Sequence, residues 1–286
     1  MDGFFVIDKE KGFTSFDVCN KIKHKFFNSH VGHTGTLDPN ATGVLVVSVG
    51  SACKTLPLLE DKTKEYLCTI EFNKSYDTID PTGNLIATSN KELNMSDIIL
   101  ALDKCSKMSE QVPPQYSALK VNGKRSYDLA RKGIEVKHEP RPIKIYKTEI
   151  RSQLRRENDS YYLDIYLFVN RGFYVRSFVR DLCKELNVEG NMYDLRRLSS
   201  GVFKIENAKK IDELKETDLL SVNKAFDYLD KLEVKDYLVN LIKNGVILDE
   251  RQIITDKPFI VTNKGKDLAI YAPSLEKNKY KRVVLL

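Results

Sequence analysis

The chain opens on Gly3-Phe4-Phe5-Val6-Ile7-Asp8, a short apolar run of the kind that forms a buried strand. Thr14 or Ser15 then offers a helix cap, and Phe16, Cys19, Ile22, Lys23 and Phe26 follow at helical spacing. That periodicity stops over 28–43, where Ser29, Gly32, Gly35, Pro39 and Gly43 predict an extended loop. A strand at 44–49, a short helix near 51–60 and a strand at 65–72 come next. Asp77 to Gly83 reads as a turn, broken by Asp80-Pro81 and Gly83. Ser96 then caps a helix of about ten residues with Ile98, Ile99 and Leu102 inward.

Residues 111–146 have a different texture. Pro113-Pro114 opens the stretch, Pro140 and Pro142 close it, and a short helix is expected near 126–132. Its flanks, 143–151 and 161–169, alternate as strands do, and Tyr174 to Leu186 is an amphipathic helix entered through Arg171-Gly172-Phe173. Residues 191–203 read as a strand and 209–232 as helical and peripheral. A second unit begins near Leu232, with a helix at 234–243 and strands at 259–262, 267–272 and 281–285. Strands and helices mix without a βαβ rhythm, which predicts an α+β fold rather than a doubly wound sheet. The 286 residues fit two domains at roughly 150 residues each. With 42% hydrophobic residues the chain can fill a core, which excludes a wholly disordered protein.

Charge changes the picture only when it is followed along the chain. The net charge of +6 excludes little, but the first arginine is Arg125 and eleven of the 13 arginines fall between Arg125 and Arg197. Segment 113–156 carries 12 Lys or Arg against four Asp or Glu, so the remainder of the chain is slightly acidic. Such a block suits a polyanion such as nucleic acid, because the planar arginine fork donates in pairs; it also suits a merely solvated surface. Five cysteines without a CxxC pair and four histidines without HExxH spacing argue against a disulfide framework and against a structural metal. The start lacks a secretory signal, and runs such as Val44-Leu45-Val46-Val47 fall far short of the ~18 residues that span a bilayer. A reduced, soluble, cytoplasmic protein is expected.

Three places can carry chemistry. The loop His33-Thr34-Gly35-Thr36-Leu37-Asp38-Pro39-Asn40-Ala41-Thr42-Gly43 holds one carboxylate and one imidazole on a backbone fixed by two glycines and a proline. Asp38 there is either a reactive group or the side chain that closes an Asp-Pro turn. In Asn170 to Asp181, Arg176 and Arg180 share one helix face, and an arginine in that first turn can pair with a carboxylate and hold it ionised. Tyr66, in Lys64-Glu65-Tyr66, begins a strand and is either core or a ring on which a base stacks.

These segments, taken in order, resemble the TruB-type tRNA pseudouridine synthases. The resemblance rests on Phe5-Val6-Ile7-Asp8-Lys9 with Gly12-Phe13-Thr14-Ser15, and on Gly32 to Pro39 with Thr42-Gly43. It continues through Lys64-Glu65-Tyr66, Asp77-Thr78-Ile79-Asp80 and Pro113-Pro114-Gln115-Tyr116-Ser117-Ala118-Leu119-Lys120. Gly123-Lys124, Tyr127, Ala130-Arg131, Tyr174-Val175-Arg176 and Leu195-Arg196-Arg197-Leu198 complete it. Two departures occur: Asn73 stands where the family has a Gly, and Tyr76 where it has a Thr.

The resemblance implies a pseudouridine-synthase fold, with a central mixed, mostly antiparallel sheet flanked by helices. It implies a catalytic domain over 1–231, with 113–146 as an RNA-gripping insertion, and a small β-rich PUA-like domain over 232–286. The implied activity is isomerisation of uridine 55 in the T loop of tRNA, by base flipping, without metal or other cofactor. Asp38 takes the place of the nucleophile and His33 that of the residue entering the T loop. Tyr66 stacks on the target uracil, Tyr174 and Leu195 contact substrate, and Arg176 pairs with the nucleophile. Lys124, Arg125, Arg131 and Lys132 are expected to contact the RNA backbone. The partner is then the tRNA T arm, with no membrane and no obligate protein partner. A non-catalytic RNA-binding or RNA-folding protein, or a guide-RNA-dependent pseudouridine synthase, is the alternative.

Overall fold

A computed structural model describes residues 1–27, 30–59, 61–117, 119–121 and 123–286. Ser29 of the expected loop and Ala118 of the Pro113–Lys120 motif lie outside the described residues. The principal elements are β1 (Gly3–Lys9), α1 (Ser15–Lys25), β2 (Val31–Thr34), β3 (Thr42–Val49), β4 (Lys64–Phe72), α2 (Met95–Ser106), β5 (Ile145–Ile150), β6 (Ser160–Val169), α3 (Val175–Leu186), β7 (Gly190–Ser200) and β8 (Leu220–Ser221). One sheet runs β5-β6-β4-β7-β3-β1-β8, with β2 also paired to β3. Its pairings are antiparallel except β7 with β3, where Arg196 lies opposite Thr42 and Arg197 opposite Gly43. This is the mixed, mostly antiparallel sheet flanked by helices that the sequence predicts.

Burial explains the two kinds of strand pattern. β1 and β3 are covered on both sides, so they read as unbroken apolar runs rather than alternations. Phe5, Ile7, Leu45 and Val47 pack against Val18, Cys19 and Ile22 of α1, while Phe4, Val44 and Val46 face the other way. On the other half of the sheet, Ile70, Phe72, Leu163, Ile165 and Leu167 are covered by Ile98 and Leu102 of α2 and Phe178 and Leu182 of α3. Each large side chain fully buried in this way contributes roughly 1.5–3 kcal/mol. Helix α1 starts where expected, with Thr14 capping Asp17 in a reciprocal box.

The C-terminal stretch adds β9 (Lys231–Glu233), α4 (Asp236–Lys243), β10 (Leu248–Asp249), β11 (Phe259–Asn263), β12 (Lys266–Pro273) and β13 (Lys279–Leu285). These strands form a second sheet ordered β9-β11-β12-β13-β10. Its Ile260, Ile270 and Val284 complete the apolar layer over Phe4, Val44 and Val46. The β-rich C-terminal unit therefore covers the face of β1 and β3 that α1 leaves open.

Several local expectations need correction. Residues 28–43 are not loop throughout, because β2 forms there and places His33 opposite Val47. Helix α2 is capped by Asn94 rather than Ser96, and Ile99 is 52% exposed; the inward stripe is Ile98, Ala101, Leu102 and Cys105. Phe16, grouped with the inward face of α1, is 69% exposed. Residues 209–232 form short 3-10 turns, β8 and a four-residue helix rather than one helix. The stretch is tied to β1 at two points: Asp8 N donates to Lys209 O and Lys209 N to Val6 O, and Leu220–Ser221 pairs with Phe4 and Gly3. Asn73 has φ +78°, which explains how it replaces a Gly, since Asn is among the residues that tolerate the left-handed region.

Gly43 marks the point where the sheet becomes parallel. Its φ is +99°, and a Cβ there would lie 2.2 Å from Arg197 O and 2.8 Å from Arg197 N. Neither backbone atom can yield without breaking the β3–β7 pairing. Gly43→Ala is therefore expected to lose more than about 2 kcal/mol of stability, read as a lowered thermal midpoint. An unchanged midpoint would contradict this register.

Candidate active site

The His33–Gly43 loop is fixed from three sides before any reactive group is considered. From the start of α1, Ser15 Oγ accepts from Leu37 N at 2.9 Å and donates to Leu37 O at 3.1 Å. Gly12 N and Lys9 Nζ both donate to Pro39 O, at 2.9 and 3.2 Å. From β7, the Arg197 guanidinium donates to Gly35 O at 3.2 Å and to Val44 O at 2.6 Å. From below, Leu37 is buried in the core with Tyr66, Phe173, Val175 and Leu195. Asp38 O closes a tight turn by accepting from Ala41 N at 3.1 Å.

Asp38 thus projects from a rigid loop, and its side chain is 33% exposed. The turn does not consume its carboxylate. Arg176, at the start of α3, takes both oxygens: Nε lies 2.9 Å from Oδ2 and Nη2 donates to Oδ1 at 3.2 Å. Such two-pronged pairs fix direction as well as charge. The remaining donors of Arg176 reach Thr78 O at 3.1 Å and Tyr116 O at 2.8 Å. One buried guanidinium therefore joins the Asp38 loop, the 77–83 turn and the root of the insertion. Next to Thr78, Ile79 sits at φ +62°, a costly conformation for a β-branched residue. Met192 N donates to Ile79 O at 3.0 Å and holds that turn against β7.

The other expected site residues gather unevenly. Tyr66 is 7% exposed on β4 and shares the apolar cluster of Leu37 and Leu195. Tyr174 precedes α3, where Gln111 grips its main chain: Gln111 Nε2 donates to Tyr174 O and Tyr174 N donates to Gln111 Oε1, at 3.0 and 2.9 Å. Burial pushes the Tyr174 hydroxyl above its usual range, so it is neutral at pH 7; the charges of Arg176 and Asp38 both act on it. His33 lies on β2, and burial followed by the Arg197 charge holds its imidazole below the ordinary range, hence neutral at pH 7. Arg180, one turn from Arg176, instead pairs with Asp181 at 2.8 Å and donates to Val112 O.

Lys124, Arg125, Arg131 and Lys132 stand apart from Asp38. They line a groove of about 610 Å³ in the insertion, where Lys120–Val121 pairs with Lys124–Arg125. Tyr127 lies within cation–π distance of two of them, 5.8 Å from the Arg125 guanidinium carbon and 5.5 Å from that of Arg131. At the base of the insertion, Glu110–Gln111 and Arg141–Pro142 pair with each other as a separate two-stranded ribbon.

Sequence reasoning passed over Lys9, Gln111 and Arg197 as site residues. Lys9 is fully buried, wrapped by the carbonyls of Glu10, Phe13 and Pro39. Burial pushes its ammonium down to about 8, although the Asp38 charge opposes the shift. The available signal was a charged residue at the end of an otherwise apolar strand at Lys9; Arg197 lies within a strand that also carries Asn191, Asp194 and Arg196, and nothing in that pattern marks it.

A chain in the crystal structure of a Cbf5-Nop10-Gar1 complex shares the fold, superposing with a TM-score of 0.68 at 23% identity over 99% of this chain and 84% of that one. Residues 23–175 match the family described as TruB family pseudouridylate synthase (N terminal domain). The chain belongs to that family. Among its relatives, the tRNA pseudouridine synthase B of Onion yellows phytoplasma (strain OY-M) is 42% identical over 281 residues, 98% of each chain. That of Acholeplasma laidlawii (strain PG-8A) is 36% identical over 282 residues, 98% of this chain and 99% of its own.

Proposed function

We propose that this chain isomerises uridine 55 in the T loop of tRNA to pseudouridine, with Asp38 as nucleophile. The observation that carries the reading is the Asp38–Arg176 pair, a carboxylate held in one direction on a loop fixed from three sides. In the reaction the N1–C1′ bond breaks, the base turns, C5 joins C1′, and the proton released from C5 is balanced by one gained at N1. The target must first leave its stack, at a cost of a few kcal/mol. His33 offsets that cost as the neutral ring that enters the T loop. Tyr66 stacks on the uracil, and Tyr174 and Leu195 bound it, since RNA bases are read best when splayed onto aromatic and apolar surfaces. This chemistry draws on the protein's own side chains, without metal or other cofactor.

The proposed division of labour follows the chain: 1–231 carries catalysis, and 232–286, whose first strand begins at Lys231, is an accessory PUA-like RNA binder. The enzyme works in the cytoplasm, on the T arm, without an obligate protein partner. Incubation with unmodified tRNA and site-resolved pseudouridine mapping tests this directly. A protein-dependent signal at position 55 without added guide RNA is expected. Tight tRNA binding with no pseudouridine at any position would favour the non-catalytic RNA binder instead.

The insertion gives a separate expectation. Lys124, Arg125, Arg131 and Lys132 are exposed, form no ion pair with a carboxylate among the described residues, and suit phosphate binding. Replacing all four by Gln should weaken tRNA binding and reduce the slope of log Kd against log salt by about 0.7–0.9 for each phosphate no longer neutralised. An unchanged slope would remove this groove from the interface.

A further inference from the structure

A second group of cations lies beneath the catalytic loop, and the pairing with Asp38 does not use it. Arg197 is 1% exposed, yet its guanidinium meets only main-chain carbonyls, those of Val44, Gly35 and Thr36. Lys64, at the start of β4, donates only to the carbonyls of Thr63 at 3.2 Å and Lys62 at 3.5 Å. Neither has a carboxylate at ion-pair distance among the described residues. The nearby acids are engaged elsewhere: Asp61 accepts from Thr63 N and Oγ1, and Glu65 from Tyr166, Ser199 and Lys204.

Gly35 sits over both cations. A Cβ there would lie 3.6 Å from Lys64 Cε and 3.8 Å from Arg197 Nη1. The electrostatic neighbourhood of Lys64 also includes the Asp61 carboxylate, which favours its charged form, and Arg171; Asp61 and the exposed Arg171 open onto one cleft of about 690 Å³ with Lys62, Tyr146 and Asn170. Lys64, Arg171 and Arg197 outnumber that one carboxylate, and an excess of cations held partly away from water costs free energy that an arriving anion returns. Gly35 and Asp38 are three residues apart, hence within roughly 11 Å along the chain. An anion bound here is therefore within one or two nucleotides of the reacting base.

We propose that Lys64 and Arg171, with the charge of Arg197 behind them, hold an RNA backbone phosphate adjacent to the flipped uridine. This rests on the tRNA reading above and supplies it with an anchor outside the insertion. Burial and Arg197 push the Lys64 ammonium down to about 8, which leaves it charged at pH 7.

The test uses the full-length protein, a T-arm RNA stem-loop, and neutral methylphosphonate linkages introduced singly around the target uridine. In the wild type, one linkage near the target should cost about tenfold in affinity. Lys64→Met should bind the unmodified RNA weaker by a similar factor, show no further weakening at that linkage, and lower the salt slope by about 0.7–0.9. KM should rise while kcat stays near the wild-type value, and Lys64→Arg should restore KM. A thermal melt close to wild type confirms that Lys64→Met is folded; Arg171→Gln, on the exposed rim, is the second variant if it is not. Equal sensitivity of wild type and variant at every linkage, or an unaltered KM and salt slope, would overturn the proposal. A wild type that binds but forms no pseudouridine sinks the reaction instead, and the binding comparison still decides the subsite.

Discussion

Asp38→Asn is expected to abolish pseudouridine formation on a T-arm RNA while leaving affinity within several-fold. The substitution keeps the shape of the side chain and removes the charge and one carboxylate oxygen. Arg176 loses its ionic partner but keeps Thr78 O at 3.1 Å and Tyr116 O at 2.8 Å. The loop keeps Ser15, Gly12, Lys9 and Arg197, none of which bonds through the Asp38 side chain. The stability loss should therefore stay within about 1–3 kcal/mol, the range for a charged hydrogen-bonded pair reduced to a neutral one. Binding draws on surfaces away from this carboxylate, and removing one negative charge does not repel RNA. Site-resolved pseudouridine mapping together with a binding isotherm reads both halves. Normal turnover would show that Asp38 is not the nucleophile. Lost binding would show that the loop, rather than the reaction, had been damaged.

Much of this site was legible in the sequence because its parts are local. The Asp38 loop announces itself by Gly35, Pro39 and Gly43, and α3 by the spacing of Val175, Phe178, Val179 and Leu182. The resemblance to a known family then supplied roles that spacing alone left open, notably for Asp38 and Tyr66. What stayed hidden was long-range. Gln111 gripping the main chain of Tyr174 spans 63 residues, and Arg197 reaching Gly35 spans 162. No periodicity encodes a side chain that bonds to a distant backbone carbonyl. The same limit applies to 209–232, where apolar spacing suggested a helix but pairing with β1 won. Ile99 and Phe16 failed for a smaller reason: each lies a residue off the buried stripe, where periodicity is least discriminating.

Arg176→Lys should be nearly as damaging as a truncation. A lysine offers one ammonium where the guanidinium serves Asp38 twice and the carbonyls of Thr78 and Tyr116 once each. At least two of those acceptors would be left without their donor in a site where the arginine side chain is 8% exposed. Stability should fall by about 2–4 kcal/mol, since unpaired buried acceptors carry their full desolvation cost. Turnover should fall by about 100-fold or more, because the carboxylate is no longer held in one direction and small misplacements near a reacting centre are costly. Arg180→Gln is the control one turn along the same helix. Its partners, Asp181 and Val112 O, lie at a more open surface, where an ion pair is worth at most about 1 kcal/mol. The two variants should therefore separate on both thermal midpoint and turnover. Amide exchange around Tyr116 should also quicken in Arg176→Lys but not in Arg180→Gln, because only Arg176 reaches its carbonyl. If both variants melt and turn over alike, Arg176 is an ordinary helix residue and the link between the insertion and Asp38 does not exist.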